Sequence, residues 1–486
     1  MLTIEEVKHF IENDAASRKK QLAKVGDQYY QAEHDIRNYR IFYVDAEGVL
    51  KEDKTRSNIK ISHPFFTELV DQEVQYLLSG EDGFILSDNP ALQKELDAYF
   101  NENEDFMSEF YDVLTGCVSK GFEYMFAYKN TDGKITFQCA DSIGVVEVKA
   151  KETDDRCEYV IFWYVDHIGK DNKKIKRIEV WDSEQTWFYC QEGDGKIIPD
   201  DTQEINPRPH TVYETDKQGN AAFEGFGFIP FFRIDNNKKQ ISGLKPIKDL
   251  IDDYDLTASG LSNNIQDTAE ALYVVHGFQG DNLDELMQNI KAKKHVGVDE
   301  DGGVEIKTVD VPVEARKAKL EIDKEGIYHF GMGVDTAGLK DSSATVSVAV
   351  KSAYSLLDLK VTKLMPRVKQ FLRKLLKVVL AEINEANKTD YQQSDVYFNF
   401  DPEIPTNALE NAQIELTEAQ KQQTVINTLL SLSAQLGNEL IVQQIFEQLD
   451  LDYEEFKDKL PKTEDEEIEQ NVLDNVVIDD NTVEFP

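Results

Sequence analysis

The sequence predicts an α+β fold, because the period of its apolar residues changes twice along the 486 residues. Apolar residues recur at helical spacing up to residue 118, and β-branched and aromatic residues alternate over residues 121–189. Long helical patterns return from residue 246. The composition, 41% apolar and 10% aromatic, is that of a globular protein, and the length allows roughly two to four domains.

The first part of the chain is predicted to be mainly helical. We expect helical structure up to Arg40, with Ile4, Val7, Phe10 and Ile11 on one face. The stretch SNIKISHPFFTELVDQEVQYLLSG predicts a buried helix that ends at the glycine of residue 80, and a further helix is predicted over residues 91–118.

A β-meander is predicted to follow over residues 121–189. Asp132-Gly133 predicts a two-residue hairpin turn between the first two strands. Residues 191–219 are polar and lack a period, so they form either a long loop or an excursion at the edge of the sheet.

A 3.6-residue apolar period over residues 247–272 predicts a helix of roughly 40 Å, with Pro246 at its first position. Its other face is acidic and carries Asp249, Asp252, Asp253, Asp255, Asp267 and Glu270. A solvated acidic face is the favoured interpretation over a carboxylate site, because no histidine or second carboxylate motif converges on it.

A small αβ module and a second long helix follow. The module is predicted as LYVVHGF, a short helix DNLDELMQNIKAKK and a hairpin HVGVDEDGGVEIKTVDV, whose DEDGG is a turn and not a calcium loop. Pro312 opens the second helix, which is charged nearly all round, with Val313, Leu320 and Ile327 at heptad spacing. Such a polar helix needs partners beyond its own core, so we expect the two long helices to form a projecting hairpin.

The stretch GVDTAGLKD, residues 333–341, only partly matches a phosphate-binding loop. In such a loop a lysine directly follows the second glycine and a hydroxyl residue follows the lysine. Here Leu339 displaces Lys340, and Asp341 stands in place of the hydroxyl. A phosphate loop also follows a strand, whereas a helix precedes this one. We therefore predict a flexible joint whose glycines act as hinges.

A third long helix is predicted over residues 348–390, with a kink at Pro366. Eight cations lie on it, with Asp358 the only acid between the first and the last: Lys351, Lys360, Lys363, Arg367, Lys369, Arg373, Lys374 and Lys377. This basic run is either a solvated face or a surface for phosphate or an acidic neighbour. Beyond it we expect a strand, VYFNFDP, then helices, and a disordered acidic tail from residue 463.

The charge and the scattered metal-binding residue types exclude several classes of function. With 53 basic and 92 acidic side chains the net charge is −39, whereas proteins that grip nucleic acid through its phosphates are normally basic. DNA is therefore either irrelevant or handled without being gripped. Cys117, Cys139, Cys157 and Cys190 form no C-x-x-C, and no two histidines are three or four residues apart. We expect free thiols, no metal, no cofactor and no catalytic cluster.

No secretory signal opens the sequence, since MLTIEEVKHFIEND lacks a basic start and an apolar run. No segment offers about eighteen consecutive apolar residues. A cytoplasmic protein without a membrane partner is expected.

Three stretches, in this order, resemble the portal proteins of tailed phages, the head-to-tail connectors, in the class that infects Gram-positive bacteria. They are SNIKISHPFFTELVDQEVQYLLSG, GFIPFFRIDNNKKQISGLKPIKDLIDDYDLTASGLSNNIQD, and the glycine loop with SSATVSVAVKSAYSLLDLK. The first commonly ends in a glycine-proline step in the family, where this chain has Ser79-Gly80-Glu81. The middle stretch is the most specific and contains Pro230, Asn236, Asn237, Asp252, Tyr254, Ser259, Asn263 and Asn264.

The resemblance implies a portal fold with named parts. These are a β-rich wing (residues 1–243), a first stem helix (244–272), a small αβ clip (273–311), a second stem helix (312–330), a tunnel loop (331–347), a kinked wing or spine helix (348–390), a helical crown (391–462) and the acidic tail (463–486).

The resemblance also implies a function without enzymatic activity: a dodecameric ring at one capsid vertex, through which double-stranded DNA is packaged and ejected. The implied partners are the terminase large subunit, an adaptor or head-completion protein, the scaffold and the major capsid protein, in the virion and, during assembly, in the host cytoplasm. The alternatives are a nucleotide-binding enzyme that uses the glycine loop and a non-viral helical scaffolding protein.

Three groups of site residues follow from the resemblance. The tunnel loop would line the channel, with Lys340 as its only cation touching passing phosphates. The groups are Gly331, Gly333, Asp335, Gly338, Lys340, Ser342 and Ser343 in the tunnel loop; Asp252, Asp253, Tyr254, Ser259, Asn263 and Asn264 in the stem; and Lys360, Lys363, Arg367 and Lys374 on the basic spine helix.

Overall fold

The computed structural model describes residues 1–54, 56–80, 83–130, 133–151, 156–168, 173–214, 221–268, 272–278, 286, 298–307, 312–336, 346–402, 408–431, 438–449 and 453. The chain divides into two compact units, Met1–Ile404 and Pro405–Pro486. The first unit mixes helices and strands, so the predicted α+β class is confirmed.

The N-terminal helices form as predicted up to Tyr30, but the helical structure predicted to reach Arg40 ends there, and a 3₁₀ turn follows. Helix α1 begins with a capping box, in which Thr3 accepts from the N–H of Glu6 and the Glu6 side chain accepts from the N–H of Thr3. The helix predicted to end at Gly80 stops at Leu77. The elements are α1 (Ile4–Ala16), α2 (Arg18–Tyr30), a 3₁₀ turn (Asp35–Asn38), β1 (Phe42–Val44), β2 (Leu50–Glu52) and α3 (Phe65–Leu77).

The single helix predicted over residues 91–118 is wrong, because two helices and a π-turn occupy this stretch. Asn103 interrupts the pattern: its side chain accepts a hydrogen bond from the N–H of Phe106 at 3.0 Å and so caps a new helix. The elements are β3 (Ile85–Leu86), α4 (Pro90–Leu96), the π-turn (Asp97–Asn101) and α5 (Glu104–Lys120).

The predicted meander is confirmed as two sheets. One has the strand order β14-β4-β5 and the other β10-β9-β8-β7-β6, and β11 also pairs with β9. The described part of the predicted loop, residues 191–214, therefore makes an excursion at the sheet edge through β10 and β11, one of the two predicted alternatives. The strands are β4 (Phe122–Lys129), β5 (Ile135–Ala140), β6 (Val145–Val148), β7 (Tyr159–Ile168), β8 (Lys173–Trp181), β9 (Gln185–Glu192), β10 (Ile198–Pro199), β11 (Arg208–Pro209), the hairpin β12 (Thr211–Glu214) and β13 (Ala221–Glu224), and β14 (Phe231–Asp235).

The turn between β4 and β5 is one residue longer than predicted. The N–H of Asn130 donates to the carbonyl of Lys134 at 2.9 Å, which leaves three residues in the loop. Gly133 adopts φ +76°, the left-handed conformation that such three-residue turns require at their last position. The antiparallel pairing of β4 and β5 itself is as predicted.

The second half of the first unit contains the three predicted long helices. The first of them is shorter than predicted: Pro246 lies in a turn before it, and Leu272 begins a strand. The third runs through Pro366 without a break, and its predicted kink stays a prediction. The elements are α6 (Lys248–Thr268), β15 (Leu272–Phe278), β16 (Val298–Lys307), α7 (Val313–Gly331) and α8 (Val346–Asn387).

The stretch DEDGG is not a turn but part of β16, so the hairpin predicted within residues 295–311 is wrong. Strand β16 pairs instead with β15, with Gly303 opposite His276 and Val298 opposite Phe278. A bulge between these pairs absorbs the extra residues of DEDGG. The short helix predicted before it lies outside the described residues except for Leu286, which is helical.

Residues 391–402 belong to the first unit and not, as predicted, with the C-terminal helices. Strand β17 (Tyr397–Phe398) pairs with β3, and the N–H of Asn399 donates to the carbonyl of Phe84 at 3.1 Å. Val396 and Phe400 are buried in the same core as α3, α5 and α8. The second unit contains α9 (Ala408–Ser431) and α10 (Asn438–Gln448), and the predicted acidic tail lies outside the described residues.

All four cysteines are free thiols, as expected. Burial raises the pKa of the Cys117 thiol well above its ordinary value, so this thiol stays protonated. Within the described ranges, no group of histidine, cysteine and acidic side chains is arranged to hold a metal ion. Nor do those ranges include a helix with the length and apolar character needed to cross a bilayer.

Candidate functional site

Helix α6 is bound along one face by residues 57–63, a segment without regular secondary structure. Every second residue of this segment donates its backbone N–H to a side chain of α6. Each acceptor lies four residues before the previous one, so the segment runs antiparallel to the helix. An extended chain advances about 6.6 Å in two residues and a helix about 6 Å in four, so the two spacings match. The bonds run from Ser57 to Asp267 (3.2 Å), Ile59 to Asn263 (2.6 Å), Ile61 to Ser259 (3.0 Å) and His63 to Asp255 (3.0 Å).

This ladder explains two residues of the predicted site. Ser259 and Asn263 bind the backbone of residues 57–63, and Ser259 is 2% exposed. The ladder also includes Asp255, which the sequence prediction left out of the site. A sign of it is present in the sequence: four short polar side chains recur every fourth residue, at positions 255, 259, 263 and 267.

Asp255 is the buried centre of this contact, with an exposure of 0%. Its two carboxylate oxygens accept from two histidine side chains, His34 Nδ1 at 2.5 Å and His63 Nδ1 at 2.7 Å. Burial raises the pKa of Asp255, but the hydrogen bonds from His34 and His63 outweigh it, so this pKa is lowered overall. The predicted solvated acidic face, with no histidine converging on it, is wrong at this position.

The N-terminal end of α6 is fixed by a second polar cluster. Asp252 accepts from the hydroxyl of Tyr29 in α2 and from Lys248 Nζ at 2.7 Å. Lys248 also reaches Asp35 in the 3₁₀ turn at 2.6 Å. Tyr254 packs edge-on against the His63 ring, with 4.7 Å between centroids. Asp252 and Tyr254 therefore join α6 to the N-terminal part of the chain.

Helix α7 packs beside α6, as the predicted helix hairpin requires. Lys319 lies between Asp253 of α6 and Asp323 of its own helix and binds both carboxylates. The amide oxygen of Asn264, turned towards α7, accepts from Arg316 Nη2 at 2.7 Å. All six predicted residues of α6 thus make contacts, and they do so on several faces of the helix.

The beginning of the glycine loop is anchored on α3. Gly331 is the last residue of α7 and is buried, and a Cβ added at Gly333 would lie 2.0 Å from a methyl group of Leu69. The side chain of Gln72 bonds both the N–H and the carbonyl of Val334, at 2.9 and 3.0 Å. These two glycines are sites of close packing, and the hinge role predicted for the glycines of residues 333–341 stays a prediction.

Asp335, the third predicted loop residue in the described part, lies 2.8 Å from Lys324 of α7. Gly338, Lys340, Ser342 and Ser343 lie outside the described residues.

The basic side chains of α8 do not share one environment. Lys360 Nζ lies 2.9 Å from the carboxylate of Glu73, a residue of α3 that is 2% exposed. Lys363 and Lys374 are exposed, and Arg367 is half-buried. Lys360 therefore has its acidic partner within the chain, and both interpretations of the basic run stay predictions.

The ladder makes a testable prediction about residues 57–63. Asn263→Ala removes the acceptor for the N–H of Ile59, so amide hydrogen exchange of a peptide covering these residues should accelerate about tenfold, the equivalent of roughly 1.4 kcal/mol. Gln266→Ala, an exposed position outside the ladder, is the matched control and should leave exchange unchanged. Equal exchange in both variants would show that the ladder does not hold the segment.

Sequence comparisons identify the family. Residues 8–455 match the family described as "Phage portal protein, SPP1 Gp6-like". The portal protein of Bacillus phage SPP1 is 28% identical over 371 residues, which cover 75% of this chain and 71% of the relative. The portal protein of Clostridium phage phiCD119 is 24% identical over 431 residues, 85% of this chain and 89% of the relative.

Two solved structures resemble the chain more distantly. A chain from the neck of a native GTA particle, computed with C12 symmetry, has 12% identity and a TM-score of 0.41, and the match covers 79% of this chain and 90% of that one. A chain from the neck of an empty GTA particle, computed with C6 symmetry, has 14% identity and a TM-score of 0.40, with 73% and 85% covered. The profile match alone spans most of the sequence, and the chain therefore belongs to the SPP1 Gp6-like family of phage portal proteins.

Proposed function

We propose that this portal protein forms a dodecameric ring at one capsid vertex and that its channel passes double-stranded DNA during packaging and ejection. The observation that carries the proposal is the family match over residues 8–455. As a phage portal protein the chain is a head–tail connector of the virion and a structural protein, which excludes the nucleotide-binding enzyme and the non-viral scaffold.

Exposed apolar side chains on the paired helices support a ring. Leu256 of α6 and Ile322 and Phe330 of α7 are 41%, 65% and 59% exposed in the single chain. Large apolar side chains on exposed helix faces are favourably covered by a partner. In a ring, identical neighbours lie on both sides of every helix pair and cover these side chains.

The acidic character of α6 supports a channel that does not grip DNA. The helix carries five acids and one base, and Asp249 and Asp253 are exposed. Each phosphate contact that is avoided lowers the affinity of a passing duplex. A net charge of −39 then favours sliding over binding.

The tunnel loop is proposed to line the narrowest part of the channel. Gln72 and Leu69 of α3 hold the backbone up to Val334, which fixes where the loop leaves the end of α7. Gly338, Lys340, Ser342 and Ser343 are proposed to face the DNA, and Lys340 would touch phosphates transiently.

The named parts of the portal fold are assigned as part of the proposal. The sheets with α1–α5 form the wing, α6 and α7 the stem, β15 and β16 part of the clip, α8 the spine, and α9 and α10 the crown, with residues 391–402 moved to the wing. The terminase large subunit and the adaptor would dock on the clip side, and scaffold and major capsid protein would surround the ring.

Electron microscopy of the purified protein tests the ring directly, since particles with twelvefold symmetry and an axial hole are expected. Monomers, or closed particles without a hole, would refute the proposal.

Lys340→Ala tests the loop in rings that form normally. We expect altered DNA packaging or retention in an in vitro packaging assay, because the loop loses its only cation. Lys377→Ala, an exposed lysine of α8, is the control. Packaging that is unchanged in both variants would remove Lys340 from the mechanism.

A further inference from the structure

The hairpin formed by β1 and β2 has one apolar face. Its turn is fixed by Asp45, whose carboxylate accepts from the N–H groups of Glu47 and Val49 at 3.0 and 2.9 Å, and by Gly48 with φ +80°. Val44 pairs with Leu50, and Phe42 with Glu52. Opposite residues in an antiparallel pair share a face and neighbours along a strand alternate, so Phe42, Val44 and Leu50 lie on the same side. Glu52 lies at the edge of this face, and its carboxylate is 3.4 Å from Arg40 Nε.

This apolar face is uncovered in the single chain. Phe42, Val44 and Leu50 are 54%, 64% and 65% exposed. A two-stranded hairpin is only marginally stable in water on its own. Three large apolar side chains on one side of it therefore indicate a surface that another molecule covers.

The hairpin comes a few residues before the segment that binds α6. The segment that leaves β2 runs into the ladder, whose first bond joins Ser57 to Asp267 near the C-terminal end of α6. Subunits of a ring are related by rotation about its axis, so the same residue lies at the same height in every subunit. A hairpin near the height of Asp267 is therefore at the height of Asp267 in the next subunit. Arg316 of α7 bonds Asn264 of α6 at this height.

Exposed apolar side chains on the helix pair favour the same occupant. Ile265 of α6 and Val313 of α7 are 56% and 42% exposed in the single chain. Ile265 is next to Asn264, and Val313 is about one helical turn from Arg316, so both lie near the level of the Asn264–Arg316 bond. Contact with the apolar face of the hairpin would remove these side chains from water.

We propose that the apolar face of the β1–β2 hairpin packs against the α6–α7 helix pair of a second copy of this chain. This inference rests on the proposed ring and extends it, because it names the element through which one subunit contacts the next. A contact between two different patches is heterologous and closes into a ring when the rotation permits.

Cysteine labelling of assembled rings tests which face is covered. Val44→Cys lies on the apolar face, and Tyr43→Cys, on the opposite face at a 48% exposed position, is the matched control. Rings of each variant are treated with a maleimide, and the labelled peptide is measured by mass spectrometry, which separates it from the four native cysteines. We expect at least tenfold slower labelling at position 44 than at position 43. Equal rates in intact rings would overturn the inference and leave the ring proposal standing.

Isotope-mixed cross-linking identifies the occupant. Rings assembled from equal parts of ¹⁴N- and ¹⁵N-labelled protein are treated with a carbodiimide, which joins lysines directly to carboxylates. We expect cross-links that join residues 51–60 to acids of α6 or α7. Some of these should pair a ¹⁴N peptide with a ¹⁵N peptide, which shows that the two residues belong to different chains. Cross-links with a single label only would place the contact within one chain and overturn the inference. Absence of rings in the parent protein would instead refute the proposed function.

Discussion

Asp255→Ala is expected to lower the free energy of unfolding by about 3–5 kcal/mol. The substitution leaves three donors without their acceptor: the Nδ1–H groups of His34 and His63 and the backbone N–H of His63. His34 cannot turn to water, because it is 1% exposed and stacked on Tyr29 with 4.5 Å between ring centroids. Urea and thermal denaturation of the variant and the parent at the same protein concentration measure the effect.

The control for this variant is Asp249→Ala, an exposed acid on the same helix, which should change stability by no more than about 0.5 kcal/mol. Low pH provides an independent check. The pKa of Asp255 in the folded state lies below its unfolded value of about 3.9, so the carboxylate stabilises the protein above that value. This contribution is lost as the pH falls through the lower folded pKa. The difference in free energy of unfolding between parent and variant should therefore become smaller in that pH range. A difference below about 1 kcal/mol at neutral pH would contradict the role assigned to Asp255.

Gly26→Ala is expected to destabilise the protein by about 2–3 kcal/mol, although alanine is the better helix former by about 1 kcal/mol. Gly26 lies inside α2 where this helix meets α5, and a Cβ at this position would lie 2.0 Å from the carbonyl oxygen of Ser119. Backbone cannot move aside as a flexible side chain can, so the helices would have to separate. The same carbonyl accepts from the hydroxyl of Ser242, and that bond would be strained as well.

Gly303→Ala is the matched control, because nothing lies within 4 Å of a Cβ built there and its φ is not in the left-handed region. It should leave the urea midpoint unchanged or raise it slightly. An unchanged urea midpoint for Gly26→Ala would contradict this prediction, because it would show that α2 and α5 can separate enough to accommodate a Cβ.

Local patterns in the sequence predicted most of the elements. Apolar spacing gave α3, α6 and α8, and alternation of β-branched and aromatic residues gave the strands from β4 to β9. The predictions were wrong where the structure of a segment depends on pairing with a strand that is distant in the sequence. DEDGG has the composition of a turn, yet β15 provides a strand for it to pair with, and VYFNFDP was grouped with the C-terminal helices although its partner is β3.

The same limitation explains the site. Asp255 belongs to an acidic helix face by spacing alone, and only the fold brings His34 and His63 to it across roughly 200 residues. Asn263 and Ser259 were selected by their resemblance to a family motif, but their role in binding residues 57–63 depends on a segment far away in the sequence. Single-sequence patterns contain no information about such pairs.

The pairing of β3 with β17 has a consequence for synthesis of the protein on the ribosome. The two strands are roughly 300 residues apart in the sequence. Phe398 is buried in the same core as residues of α3 and α5, which are synthesised much earlier. At about 5–20 residues per second, this core would stay open for roughly 15–60 seconds while the intervening chain emerges. The core of a nascent chain is therefore completed only near the end of translation, and truncated products are expected to assemble poorly into the proposed ring.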